Sequence, residues 1–89
     1  MTSWRLVVAP SAERSLAQLP EKVAPAIVEF MVGPLIENHH RVGKPLVREL
    51  AGYMAARTGA YRIVNRIVEK TSRVEVVRID HRSRVYRTR

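Results

Sequence analysis

Eighty-nine residues with a formal net charge of +8, 46% hydrophobic side chains and no cysteine describe one small basic domain. The apolar content argues against disorder despite the charge. The lack of cysteine excludes a disulfide framework and a thiolate zinc site. No run approaches the roughly 18 apolar residues of a membrane span. The apolar stretch Leu6–Ala9 is too short for a signal-peptide core. The expectation is a soluble, cytoplasmic protein.

In chain order, Trp4–Ala9 reads as a strand stopped by Pro10. Ser11 is placed to cap a helix from Ala12, with Glu13 in its first turn. Leu16 and Leu19 share a helical stripe with Ala12, and Pro20 ends that helix. A second helix starts near Glu21, with Pro25 near its first turn, where a missing N–H costs least. Val23, Ile27, Phe30 and Met31 recur at helical spacing, and Gly33-Pro34 ends or kinks the helix, with room for one more turn to Glu37. Asn38–Pro45 reads as a polar loop. Three strands follow: Tyr53–Arg57, Tyr61–Glu69 and Arg73–Asp80, separated by the turns Thr58-Gly59-Ala60 and Lys70-Thr71-Ser72.

This order, β-α-α-β-β-β, predicts an α+β fold with the helix hairpin packed on one face of an antiparallel sheet. In the second of the three strands Ile63 and Ile67 point one way, and Arg62, Val64 and Arg66 the other. The uncovered face is therefore expected to carry the arginines.

Charge is unevenly spread. From Arg57 to Arg89, nine Arg and one Lys stand against Glu69, Glu75 and Asp80; residues 1–56 hold six bases and five acids. A basic segment of this density is the footprint of a phosphate-binding surface. Arginine suits it, because its planar fork takes phosphate in bidentate fashion. His81 and Tyr86 add groups able to move protons, so the segment could cut as well as bind. The blander alternatives stay open. Arg62 and Arg66 also read as the solvated side of a strand, and Arg78 as a partner of Glu75 or Asp80. Tyr53, Tyr61 and Trp4 read as core or interface residues. His39-His40 lacks further ligands at metal spacing, so no metal or other cofactor is expected.

Lys44-Pro45-Leu46, Leu50-Ala51-Gly52, Arg57-Thr58-Gly59-Ala60-Tyr61-Arg62-Ile63-Val64 and His81-Arg82-Ser83-Arg84-Val85-Tyr86 together resemble the RelE toxins of the RelE/ParE toxin–antitoxin superfamily. The resemblance spans nearly the whole chain as a single domain, 1–89. It implies a metal-independent endoribonuclease that cleaves mRNA in the ribosomal A site and thereby inhibits translation. It also implies neutralisation by a RelB-like antitoxin in a hetero-oligomer, with no membrane partner.

Matched residue by residue, the resemblance makes Arg57, Arg62, His81, Arg82 and Tyr86 the catalytic set, with Arg62 on phosphate, Arg82 at the leaving group and Tyr86 on the substrate. Lys44, Arg48, Arg66, Arg78 and Arg84 form the surrounding RNA-binding surface. Relatives often carry lysines on the strand that here reads Tyr53-Met54-Ala55-Ala56, and a tyrosine where this chain has Asn65. The general base is therefore open: His81 is the first candidate and Glu49 the second. Two rival functions remain, a ParE-like inhibitor acting on DNA gyrase by protein contact and a non-catalytic RNA-binding relative.

Overall fold

The computed structural model describes residues 3–81. Its centre is one five-stranded sheet of β1 (Arg5–Val8), β2 (Gly43–Pro45), β3 (Met54–Thr58), β4 (Tyr61–Val68) and β5 (Arg73–His81), in the spatial order β1-β5-β4-β3-β2. The β2–β3, β3–β4 and β4–β5 pairs are antiparallel, and β1 joins the β5 edge in parallel. The helices are α1 (Pro10–Ala17), α2 (Ala24–Phe30) and the short α3 (His39–Val42). Ala12 from α1 and Ile27, Met31 and Leu35 from α2 and its extension pack on Ala56, Ile63, Val74, Val76 and Ile79. The architecture is thus the expected α+β one, with the helix hairpin covering one face of the sheet. No helix among the described residues is long and apolar enough to cross a membrane.

Local chemistry sets the element boundaries. Helix α1 starts at Pro10 rather than Ala12, because proline at the first helical position gives up an N–H that had no partner. Ser11 does not cap the helix. Its hydroxyl donates instead to the Val77 carbonyl at 2.6 Å. The Gly33-Pro34 pair widens the second helix into a π-helical turn, Met31–Leu35, where Pro34 has no N–H to give. The hairpin between β3 and β4 turns through Gly59 at φ 59°, which glycine adopts without strain.

The stretch Asn38–Pro45 differs from the expected polar loop. It forms α3 and then β2, which pairs Lys44 with Ala55 and Pro45 with Met54 at the sheet edge. An edge strand tolerates Pro45 because one side of it needs no donor. Gly43 sits in a crowded place: a Cβ there would lie 3.1 Å from the His39 carbonyl oxygen, which would have to give by a few tenths of an ångström.

A second difference changes the faces of β5. Val64 pairs with Arg78 but Asn65 pairs with Val76, so Val77 is an extra residue, a β-bulge. Before it, Val74 and Val76 face the core; after it, Ile79 does. Regular alternation would have turned Arg78 and Asp80 onto the helix-covered face. The bulge moves both onto the open face and His81 onto the helix side, opposite Tyr61. The hydroxyl of Ser11 holds the bulge carbonyl, and the buried Asn65 side chain donates to Ile63 O at 3.0 Å beside it.

Candidate phosphate-binding site

The open face divides along β4. Toward its start, Arg62 and Arg57 are directly opposed on β4 and β3. Like charges at such a cross-strand position repel, at a cost of roughly 0.2–1 kcal/mol. Neither guanidinium forms an ion pair among the described residues. Arg62 is half-buried, and its Nε is buried without a hydrogen-bond partner. An unpartnered buried donor of this kind is costly until an acceptor arrives. The two arginines join Lys44, Val42, Leu46 and Ala55 around a concavity of about 300 Å³. Ala55 keeps this hollow open, since its side chain is a single methyl between the longer neighbours. Its occupant would meet three positive groups and no carboxylate among the lining residues.

Toward the end of β4 and along β5 the same residue type behaves differently. Arg66 Nη2 lies 2.8 Å from Glu75 Oε1, and Arg73 Nη2 lies 3.2 Å from Glu75 Oε2. Arg78 Nε donates to Asp80 Oδ2 at 2.7 Å, which is the local pairing the sequence left open. Arg66 and Arg78 are each 49% exposed, while Glu75 and Asp80 are 19% and 18% exposed. The acids therefore sit low on the sheet and neutralise the cations above them.

Of the residues singled out by sequence, the structure brings Arg57, Arg62 and Lys44 together. It does not bring His81 to them. His81 stacks edge-to-face on Tyr61, with ring centroids 5.0 Å apart and planes at 89°. It lines a cleft with Ser15, Leu19 and Pro20 at the end of α1, bordered also by Arg78 and Asp80, and its register opposite Tyr61 puts it on the helix side of the sheet. Glu49 does share the open face, in a separate hollow with Tyr53, Val64 and Arg78. Arg48 has φ 61° in an exposed loop beside Val47, which is 69% exposed. Arg82, Arg84 and Tyr86 lie outside the described residues.

Trp4 packs on the core as expected and meets His39 at 4.2 Å between ring centroids. His39 is buried with Nδ1 3.2 Å from the Ile36 carbonyl, and His40 pairs with Glu69 at 2.8 Å. Both histidines are thus engaged in holding α3 in place. The walls and floor of the concavity, Val42, Leu46 and Ala55, escaped sequence reasoning. The available signal was Ala55-Ala56, two small residues of low strand propensity in a position that reads as strand.

Residues 6–86 match the ParE toxin family, described as the ParE toxin of the type II toxin–antitoxin system parDE. The chain is 46% identical over 84 residues to Toxin RelE of Mycobacterium tuberculosis, covering 94% of this chain and 87% of that protein. It is 47% identical over 77 residues to Toxin RelG of the same organism, covering 86% and 88%. Among solved structures, a chain of the RelBE2 toxin–antitoxin complex of M. tuberculosis superposes with a TM-score of 0.86 at 42% identity, covering 91% of this chain and all of that one. The isolated RelE toxin of E. coli shares the fold, with a TM-score of 0.69 at 19% identity and 96% and 93% coverage.

Proposed function

The chain belongs to the ParE toxin family of type II toxin–antitoxin systems, as a RelE-like member, and from that premise we propose that it is an endoribonuclease that cuts messenger RNA. The observation that carries this reading is the opposed Arg57–Arg62 pair, repelling, without an ion pair among the described residues and lining one hollow free of carboxylates. A phosphodiester placed there relieves the repulsion and gives the Arg62 Nε its acceptor.

The chemistry needs no group beyond RNA and protein. The 2′-oxygen of one nucleotide attacks the adjacent phosphorus, the P–O5′ bond breaks, and the 2′-hydroxyl proton is in net transferred to the leaving 5′-oxygen. The products are a 2′,3′-cyclic phosphate and a 5′-hydroxyl. Arg57 and Arg62 hold the phosphate and stabilise the charge that builds on its oxygens. Glu49, which shares the open face, is better placed than His81 to accept the proton. Arg82 and Tyr86 complete the set by resemblance, at the leaving group and on the base. Arg48, Arg66, Arg78 and Arg84 serve the flanking backbone, with Arg66 and Arg78 exchanging their carboxylate partners for phosphate.

The setting that goes with this reading is the cytoplasm and the ribosomal A site. The partner is a RelB-like antitoxin, since a 42%-identical relative is known from a toxin–antitoxin complex. Carboxylates of such a partner, laid over Arg57 and Arg62, would occupy the phosphate position and block it. The match to a ParE-named family keeps a second reading, in which the same cations grip a protein target such as DNA gyrase. Induction of the wild type and Arg62→Ala in a bacterial host separates them. New 5′-hydroxyl ends inside coding regions, absent with the variant, are expected. Growth arrest with intact messenger and stalled replication would contradict the nuclease reading and favour the second.

A further inference from the structure

We propose that Lys44, supplied by the edge strand β2, touches the reacting phosphate as the third cation of the site rather than holding RNA backbone at its margin. The inference rests on the nuclease reading above.

The placement follows from the register. Lys44 pairs with Ala55 across β2 and β3, and Ala55 lies two residues from Arg57 on the same face of the same strand. Lys44 is thus the diagonal cross-strand neighbour of Arg57. Such neighbours lie roughly 7–8 Å apart, within reach of a long side chain. Arg57 in turn opposes Arg62, so three adjacent strands each deliver one cation to one hollow. The methyl of Ala55 leaves the space between them empty. Val42 and Leu46 flank Lys44 and wall the hollow with apolar surface, which strengthens a charge contact inside it.

The three groups differ in what they offer. Two guanidiniums present planar forks, suited to two edges of a phosphate. An ammonium on a flexible stem is a compact point charge, able to follow an oxygen as phosphorus passes from tetrahedral to five-coordinate. Lys44 is the lone lysine among the lining residues. It is exposed and makes no ion pair among the described residues, so its head is available to the ligand. Its position on a neighbouring strand gives a specific test: the site needs the charge above Ala55, whichever of the two strands carries it.

The experiment compares the full-length wild type, Lys44→Met, and the transposed variant Lys44→Met with Ala55→Lys. Cutting of messenger on programmed ribosomes is read at saturating substrate, and affinity is measured on the same ribosomes carrying a 2′-deoxy messenger that cannot be cut. Lys44→Met should lower the rate about 10²–10³-fold, the loss expected for one transition-state contact, while affinity changes less than about fivefold. The transposed variant should recover at least tenfold of the lost rate. Near-wild-type cutting by Lys44→Met, a loss confined to affinity, or a folded transposed variant no faster than Lys44→Met would each overturn the inference while leaving the nuclease reading intact. A wild type that cuts no messenger overturns both.

Discussion

The two ends of the open sheet face are built from the same residue type and differ in what lies beneath it. At the Arg66–Arg73 end, Glu75 rises from β5 and pairs with both guanidiniums at 2.8 and 3.2 Å, while farther along β5 Asp80, which lies across the strands from Arg62, is taken up by Arg78 at 2.7 Å. At the Arg57–Arg62 end, a small alanine and apolar walls surround the cations, and no acid lines the hollow. Net positive charge therefore does not mark the site. What marks the proposed site is guanidinium charge that forms no ion pair among the described residues, because such charge has the most free energy to gain from an incoming phosphate.

Disrupting the geometry that separates the two ends should have the largest effect. Inserting one alanine between Val77 and Arg78 shifts the alternation by one and turns Arg78 and Asp80 toward the helix-covered core. Burying such charges costs several kcal/mol each, comparable to the whole stability of a domain this size. The variant should lose its cooperative unfolding transition in urea, followed by circular dichroism.

At the site itself, Arg62→Ala should reduce messenger cutting by about 10²–10³-fold. Its thermal midpoint should stay nearly level, since the substitution removes a like-charge neighbour, Arg57, and an opposite-charge neighbour, Asp80, together. At the neutralised end, Glu75→Gln should free Arg66 and Arg73. Binding to single-stranded RNA should then show a steeper salt dependence, by about 0.7 in log–log slope for each phosphate newly contacted. Stability should fall by no more than about 1 kcal/mol, because exposed ion pairs contribute little. The smallest effect is expected away from both ends. Arg48 sits at φ 61°, so Arg48→Gly should raise stability by about 1 kcal/mol in urea unfolding, without altering the charges at either end.

How far the sequence reveals this depends on which residues set the pattern. Strand β4 was legible because Ile63 and Ile67 alternate with Arg62 and Arg66, and one face is buried. Arg57 and Arg62 were legible as neighbours because they flank a short glycine turn at equal distance. The bulge was not, since Val74, Val76, Val77 and Ile79 offer apolar residues in both alternations. The resemblance grouped His81 with the arginines, and that single extra residue is what turns it to the other face, opposite Tyr61. Strand β2 was hidden because three residues containing Gly and Pro carry no period; only the pairing to β3 makes them a strand. The parallel seat of β1 beside β5 was hidden too, because pairing of the two ends of the chain leaves no local signal.

The most direct test removes one positive charge from each end. Arg62→Ala and Arg66→Ala lose the same charge from the same strand and face, and their cutting rates can be compared on one messenger at one salt concentration. The expected result is a loss of about 10²-fold or more for Arg62→Ala and less than about fivefold for Arg66→Ala. Equal losses would contradict the distinction, and would mean that the face acts through its total charge alone.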